Sequence, residues 1–198
     1  MSETFTFDPV QHRYTLNGVV IPGITFILEN TGFVDKSWFK PEHAERGHAV
    51  HAACQFLIEG NLDWPTVHPE ILPRIKGFEK FLHDFKHGLV SAETPMYSSM
   101  WKFAGTPDLV LEIPNRRAQW IVDIKSGKSG LAAKLQTAAQ DILVQETLGK
   151  GSYDRFVLEL PKEGGYTLIP HTDRTDKILF LNALAAINRR VNEGELKI

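Results

Sequence analysis

The sequence contains a single cysteine, Cys54, among its 198 residues. One thiol excludes an internal disulfide and every metal cluster that needs several thiolates. No apolar run approaches the ~20 residues that cross a membrane as a helix. The first residues, MSETFTFDPVQHRY, lack the apolar centre of a secretory signal. We therefore expect a cytoplasmic protein without a membrane-bound part.

An excess of positive charge is also missing. The chain has 22 Lys and Arg against 24 Asp and Glu, a net charge of −2 and a pI of about 6.4. This balance argues against a strongly basic DNA-coating protein, although a local basic groove can still follow a phosphate backbone. Repeats and low-complexity tracts are absent too. The length predicts one domain, residues 1–198, in which 1–40 form an extension to a core at 41–198.

The stretch Phe103–Lys125 predicts a β-hairpin, because two short apolar runs flank a polar turn. Asp123 and Lys125 are two residues apart on its second strand, so both side chains leave the same face. Ile124, between them, points into apolar packing. Asp108 precedes the first strand, and the pairing of the hairpin therefore brings Asp108 close to Asp123.

Two neighbouring carboxylates repel each other, and one takes up a proton unless a cation lies between them. Mg²⁺ resolves this conflict because it prefers oxygen ligands and keeps several waters. Lys125 adds a fixed positive charge beside the pair. This combination suits the hydrolysis of a phosphodiester bond. The alternative is an ordinary hairpin with surface charges.

Gly-Thr-Pro-Asp108, followed by Asp123-Ile124-Lys125, resembles the signature of the PD-(D/E)XK nuclease superfamily. The resemblance implies an α/β, restriction-endonuclease-like fold whose central mixed sheet is flanked by helices. It also implies a DNA nuclease dependent on Mg²⁺ or Mn²⁺. One or two metals would be held by Asp108, Asp123 and the backbone carbonyl of Ile124, and Lys125 would orient the attacking water. In this superfamily the 3′ oxygen leaves, so the products would carry 5′-phosphates.

Residues 41–60 predict a helix with an apolar stripe of Ala49, Ala53, Phe56 and Leu57. Gly47-x-x-x-His51 resembles the histidine motif of RecB-type nucleases, in which the imidazole is a metal ligand. A glycine at 47 would let a neighbouring backbone approach closely. His48 and Gln55 are weaker candidates. The alternative is that His51 is a packed or exposed bystander.

Residues 89–98 predict the first strand of the central sheet, although Pro95 limits its pairing. This strand contains Glu93. In several members of the superfamily an acidic residue in this region assists the metal site. Glu93 is therefore a candidate ligand, with an ordinary surface glutamate as the alternative.

Residues 131–149 predict a helix ending at Gly149. In RecB-type nucleases the helix after the catalytic strand carries Q-x-x-x-Y. Gln136 matches the glutamine and would contact DNA near the metal or brace Lys125. Gln140 stands where the tyrosine would be, which leaves its role open. The alternative is that both are surface glutamines. The glycine-rich loop at 126–130 lacks the full P-loop spacing, which excludes an NTPase.

Asn17-Gly18 between two apolar runs predicts an N-terminal β-hairpin. The order H-x-Y, N-G, P-x-x-T around it resembles the start of some phage and prophage exonucleases. We expect His12 and Tyr14 of this segment to be structural. The aromatic pair at 38–39 is expected in the core rather than on a DNA-stacking surface.

The predicted elements are an N-terminal hairpin, helices, three strands, a helix, two strands and a helix, which give an α/β domain. The resemblance to RecB-type and phage-type exonucleases implies a DNA substrate and a bacterial or phage-infected host cell. A single-strand annealing protein, or a helicase from another chain, is the implied partner. Two alternatives stay open: a catalytically silent nucleic-acid-binding or assembly module, and an enzyme acting on RNA. The sequence leaves exonuclease versus endonuclease and the oligomeric state undecided.

Overall fold

The computed structural model describes residues 3–34 and 41–198, and the aromatic pair at 38–39 lies outside these ranges. Its elements, in chain order, are β1 (Phe5–Asp8), β2 (Arg13–Leu16), β3 (Val19–Ile21), α1 (Ile24–Asn30), α2 (Pro41–Ile58), a 3₁₀ turn (Trp64–Thr66), α3 (Leu72–Asp84), β4 (Gly88–Ala92), β5 (Met96–Ser98), β6 (Phe103–Gly105), β7 (Leu109–Glu112), β8 (Gln119–Lys125), α4 (Leu131–Thr147), β9 (Tyr153–Glu159), β10 (Thr167–Pro170) and α5 (Thr175–Asn192).

A five-stranded mixed sheet, in the order β10-β9-β8-β7-β4, forms the centre. β8 pairs with β9 in parallel, and the other neighbours pair antiparallel. A parallel pair needs a crossover connection, and α4 supplies it. The predicted hairpin is β7–β8, in which Leu109 lies opposite Val122 and Leu111 opposite Trp120. The expected mixed sheet is therefore confirmed.

Helices cover both faces of this sheet. On one face, α1, α4 and α5 form an apolar cluster with Val110 and Ile121. On the other face, α2 and α3 pack against a second cluster that includes Trp120, Val122 and Ile124. Alternate residues of β8 thus enter opposite cores, as the period of a strand requires. Asp123 and Lys125 consequently point to the side of α4.

The N-terminal hairpin is also confirmed, and β1 extends it to a three-stranded antiparallel sheet. Asn17 (φ 52°) and Gly18 (φ 79°) both lie in the left-handed region, as a two-residue hairpin turn demands. Gly23 forms a bridge to Ala104, which ties this sheet to β6. The N–H of Ala104 also donates to the carbonyl of Pro22 at 3.0 Å, which strengthens this link.

The single strand predicted at 89–98 is wrong. β4 joins the central sheet, whereas β5 pairs with β6 in a separate two-stranded sheet. The chain breaks between them because Glu93 has a φ of 44° and Pro95 lacks a donor for the ladder.

The predicted inward stripe of α2 is wrong at two positions. Ala49 is exposed and the side chain of Phe56 is half exposed. Val50, Ala53 and Cys54 are buried instead, against the cluster that contains α3. Packing against α3 therefore selects the side of α2 that carries Val50, Ala53 and Cys54. Within the described residues, no helix is both long and apolar enough to span a membrane.

Candidate active site

The site lies where β7 begins and β8 ends. Asp108 directly precedes β7. Asp123 and Lys125 lie among the last three residues of β8. The side chain of Asp108 is anchored by the second strand, because Ile124 N donates a hydrogen bond of 2.6 Å to Asp108 Oδ2. Glu93 is placed beside them by its own backbone, whose N–H donates to Asp108 O at 3.0 Å.

His51, Glu93 and Asp108 form a cluster, which we call the triad. His51 Nδ1 is 3.2 Å from Glu93 Oε1 and 3.5 Å from Asp108 Oδ2. One potential ligand atom from each residue lies within 4.8 Å of the others. The three residues come from α2, the loop after β4 and the start of β7. Sequence analysis named all three, and the structure brings them together.

The charges of the triad are strongly coupled. The pKa of Asp108 is raised to about 7, mainly by burial and further by the carboxylates of Asp123 and Glu93, while the charge of His51 opposes the rise. Burial alone would lower the pKa of His51, but the charge of Asp108 and the contact with Glu93 outweigh it and raise this pKa to about 9. A protonated imidazole thus offsets one of the two negative charges, where a divalent cation could offset both.

The donor set of the triad fits a divalent cation. Two carboxylates and one imidazole offer oxygen and nitrogen, which Mn²⁺ accepts readily and Mg²⁺ accepts with a preference for the oxygens. The proton on His51 is the competitor that the cation must displace. The residues present therefore suit Mg²⁺ or Mn²⁺.

Lys125 lies at the centre of a second group of polar contacts. Its Nζ is 2.7 Å from Asp123 Oδ2 and donates to Gln136 Oε1 at 3.0 Å. Burial alone would lower the pKa of Lys125, but the carboxylates of Asp123 and Asp108 outweigh burial and raise it. The amine therefore stays a protonated hydrogen-bond donor rather than a base.

Gln140, whose role the sequence leaves open, makes a specific contact with the site. It is only 1% exposed, and its Nε2 donates to Asp123 Oδ1 at 3.1 Å. Its Oε1 is buried and has no hydrogen-bond partner among the residues that the structure describes. Since Gln136 and Gln140 are four residues apart on α4, both face β8. That spacing was the available signal, and the missing tyrosine obscured it.

The other predicted residues lie nearby or outside the site. The backbone of Ile124 adjoins the triad through Asp108, and the role of its carbonyl as a ligand stays a prediction. Gln55 donates to Glu59 at 3.0 Å on the exposed part of α2. A Cβ at Gly47 would meet no described atom within 4 Å, so the expected close approach of another backbone is not observed among the described residues.

A chain of polar contacts from the N-terminal sheet ends beside the triad. The hydroxyl of Tyr14 lies 3.0 Å from Thr106 Oγ1 and 3.3 Å from His12 Nε2. Thr106 is two residues before Asp108 in the chain. We expected these N-terminal side chains to be structural, and sequence alone did not show that β2 docks here.

No model of a known protein family matches this chain, and no curated protein matches it. Among solved structures, it is similar to a protein from Eubacterium rectale described as a "putative exonuclease", with 12% identity and a TM-score of 0.46, over 87% of this chain and 74% of that one. It is also similar to an alkaline exonuclease from Laribacter hongkongensis, with 13% identity and a TM-score of 0.37, over 87% of this chain and 91% of that one. The chemistry assigned to this chain rests on its own residues.

Proposed function

We propose that this chain is a divalent-metal-dependent DNA nuclease that acts as an exonuclease in recombination or repair, in a bacterium or a phage-infected cell. One observation carries the proposal. The triad of His51, Glu93 and Asp108 lies at one end of the same sheet as the pair Asp123–Lys125, and the Ile124 N–H joins the two groups through its 2.6 Å bond to Asp108. A cation-binding cluster next to a fixed ammonium suits phosphodiester hydrolysis.

The triad would hold the metal, with Asp123 and the carbonyl of Ile124 as further ligands. A bound Mg²⁺ or Mn²⁺ would supply charge neutralisation at the phosphate and a water of lowered pKa. The N–H of Ile124 holds Asp108 by a hydrogen bond within the fold. The fold itself therefore orients this ligand.

Lys125 would act as an electrostatic and hydrogen-bonding group. Its raised pKa keeps it charged, so it can stabilise negative charge that develops on the phosphoryl oxygens, and it can orient a water molecule. Gln136 fixes the ammonium from one side at 3.0 Å and Asp123 from the other at 2.7 Å. The side chain therefore has one defined direction, which favours a role in positioning.

Gln140 would act as a positioning residue for Asp123. Asp123 is fully buried, and its two oxygens have different partners: Oδ1 accepts from Gln140 and Oδ2 faces Lys125. The carboxylate is thus held from α4 and cannot rotate freely. Contacts of this kind orient ligands and strengthen metal sites.

The proposal is tested by digestion of end-labelled linear DNA, covalently closed circular DNA and matched RNA, each with Mn²⁺, Mg²⁺ or EDTA. We expect metal-dependent loss of linear DNA only, with 5′-phosphates on the products. Cleavage of circles would show an endonuclease, and cleavage of RNA alone would change the substrate class. A protein that cleaves none of them with either metal would be a silent module, and the proposal would be wrong.

A further inference from the structure

The loop that follows β8 is fixed at both ends by side chains from other elements. Residues 126–130, which we call the β8–α4 loop, connect β8 to α4. At the start of the loop, Arg74 of α3 donates from Nε to Ser126 O at 3.1 Å. At its far end, Glu159 Oε1 accepts the N–H of Ser129 at 2.5 Å and the hydroxyl of the same residue at 2.7 Å. The loop is therefore held in one position relative to α3 and β9.

Arg74 holds the loop with a charge that is buried without a partner acid. The residue is only 6% exposed. Its guanidinium donates to two backbone carbonyls, Ser126 O at 3.1 Å and Glu70 O at 3.0 Å. The carboxylate of Glu70 faces Arg46 instead, at 3.5 Å, and no ion pair within the described ranges includes Arg74. Burial of an unpaired charge is costly, and the bond to the loop is one of the contacts that offset this cost.

Lys128 lies at the exposed tip of the β8–α4 loop. Within the part of the chain that the structure describes, its ammonium has no hydrogen bond and no ion pair. The loop leaves β8 at the end where the site lies, and Lys128 is three residues after Lys125, so the two Cα atoms are at most about 11 Å apart. Lysine carries a point charge on a flexible four-carbon stem. Its ammonium can therefore reach a phosphate that neighbours the one at Lys125 on the same strand.

We infer that Lys128 is a phosphate-binding residue for the nucleic-acid strand beside the cleavage site, and that Arg74 is a positioning residue that fixes its loop. This inference rests on the proposed function. Phosphate contacts set the register and orientation of a nucleic acid without reading its bases. Because Arg74 and Glu159 already order the loop, less entropy is lost when a strand binds to it. The loop then holds the strand in register next to the metal site.

The salt dependence of binding tests Lys128. The Kd of a fluorescein-labelled single-stranded oligonucleotide is measured by fluorescence anisotropy in Ca²⁺ buffer at several NaCl concentrations. Lys128→Ala should weaken binding by about 3–10-fold at low salt. It should also reduce the slope of log K against log[NaCl] by about 0.7, as for one phosphate contact to a single strand. Lys128→Arg should keep the wild-type slope.

Two comparisons separate this contact from general effects of charge and of metal binding. Lys177→Ala removes an exposed charge on α5, and this control should bind the oligonucleotide like wild type. Mn²⁺ affinity, measured by calorimetry, should be the same in Lys128→Ala as in wild type.

Arg74 is tested with Arg74→Met, which removes the guanidinium and leaves a flexible apolar side chain. A buried charge can often be replaced by an apolar group without loss of stability, so the Tm should change little. Oligonucleotide affinity should fall by about the same factor as in Lys128→Ala. The double variant should bind no more weakly than Lys128→Ala, because both changes act on one contact.

The role of Lys128 would be overturned if Lys128→Ala kept the wild-type Kd and salt slope, or if Lys177→Ala lost as much affinity. The positioning role of Arg74 would be overturned by wild-type affinity in Arg74→Met or by additive losses in the double variant. A large loss of Tm in Arg74→Met would also overturn it, because the guanidinium would then stabilise the whole fold. A wild type that neither binds nor cleaves nucleic acid would instead overturn the proposed function.

Discussion

Replacement of Asp108 by Asn should stabilise the metal-free protein and abolish its metal response. Asp108 is 5% exposed and its Oδ2 accepts the N–H of Ile124. Asparagine has nearly the same shape, and its amide oxygen can accept the same hydrogen bond. The substitution therefore removes the buried negative charge without removing the anchor.

The magnitude follows from the pKa of Asp108. Burial raises the pKa of Asp108 from 3.8 to about 7, so stability falls as pH rises from about 4 to 7, by about 4 kcal/mol in total. The pKa of His51 is raised from 6.5 to about 9, so its stabilising contribution is complete below pH 6.5 and disappears as pH rises through 9. The shift of Asp108 already contains its attraction to His51, so the two contributions are not added. Asp108→Asn should therefore remove about 4 kcal/mol of destabilisation at pH 8.

Differential scanning fluorimetry at pH 8 in EDTA measures this effect. Asp108→Asn should raise the Tm by about 8–16 °C, at 2–4 °C per kcal/mol for a chain of this size. Mn²⁺ at 100 times its Kd should stabilise the wild type by about 2.7 kcal/mol and the variant hardly at all. Asp154→Asn, an exposed position on β9, is the matched control. A variant that is less stable than wild type in EDTA, or that responds equally to Mn²⁺, would refute this reasoning.

Three further predictions concern the same framework. Gln140→Leu removes the donor to Asp123 and should lower Mn²⁺ affinity or kcat/KM by about 10–100-fold; wild-type values in calorimetry and kinetics would exclude a positioning role. The metal binds only the neutral form of His51, whose pKa is about 9. Mn²⁺ affinity measured by calorimetry should therefore rise from pH 7 to 9, by up to about tenfold per pH unit. A flat profile would remove His51 from the site. Gly77→Ala would drive a Cβ into the carbonyl of Gly165. This clash should lower the free energy of unfolding, measured by urea titration, by about 3 kcal/mol. An unchanged urea midpoint would contradict that packing.

Local sequence patterns predicted the parts of the site that depend on local structure. The alternation of β8 placed Asp123 and Lys125 on one face, and the 2.7 Å contact between them follows from it. The hairpin pairing placed Asp108 beside the end of β8. A strand period and a tight turn fix these relations within a few residues.

Contacts between distant segments were not predictable in this way. The contact of Tyr14 with Thr106, 92 residues away in the chain, depends on the docking of the N-terminal sheet onto β6. The contact of Gln140 depends on how α4 is rotated over β8. The four-residue spacing of Gln136 and Gln140 indicates a shared face of α4, but the packing of whole elements decides what that face contacts.

The most direct test compares wild type, Lys125→Ala and Lys162→Ala, whose side chain is 77% exposed, for cleavage of end-labelled linear DNA in Mn²⁺. Mn²⁺ binding is measured by calorimetry on the same preparations. We expect wild type and Lys162→Ala to cleave and Lys125→Ala to bind Mn²⁺ without cleaving. Cleavage by Lys125→Ala at the wild-type rate would contradict a nuclease site built on β7, β8 and the triad.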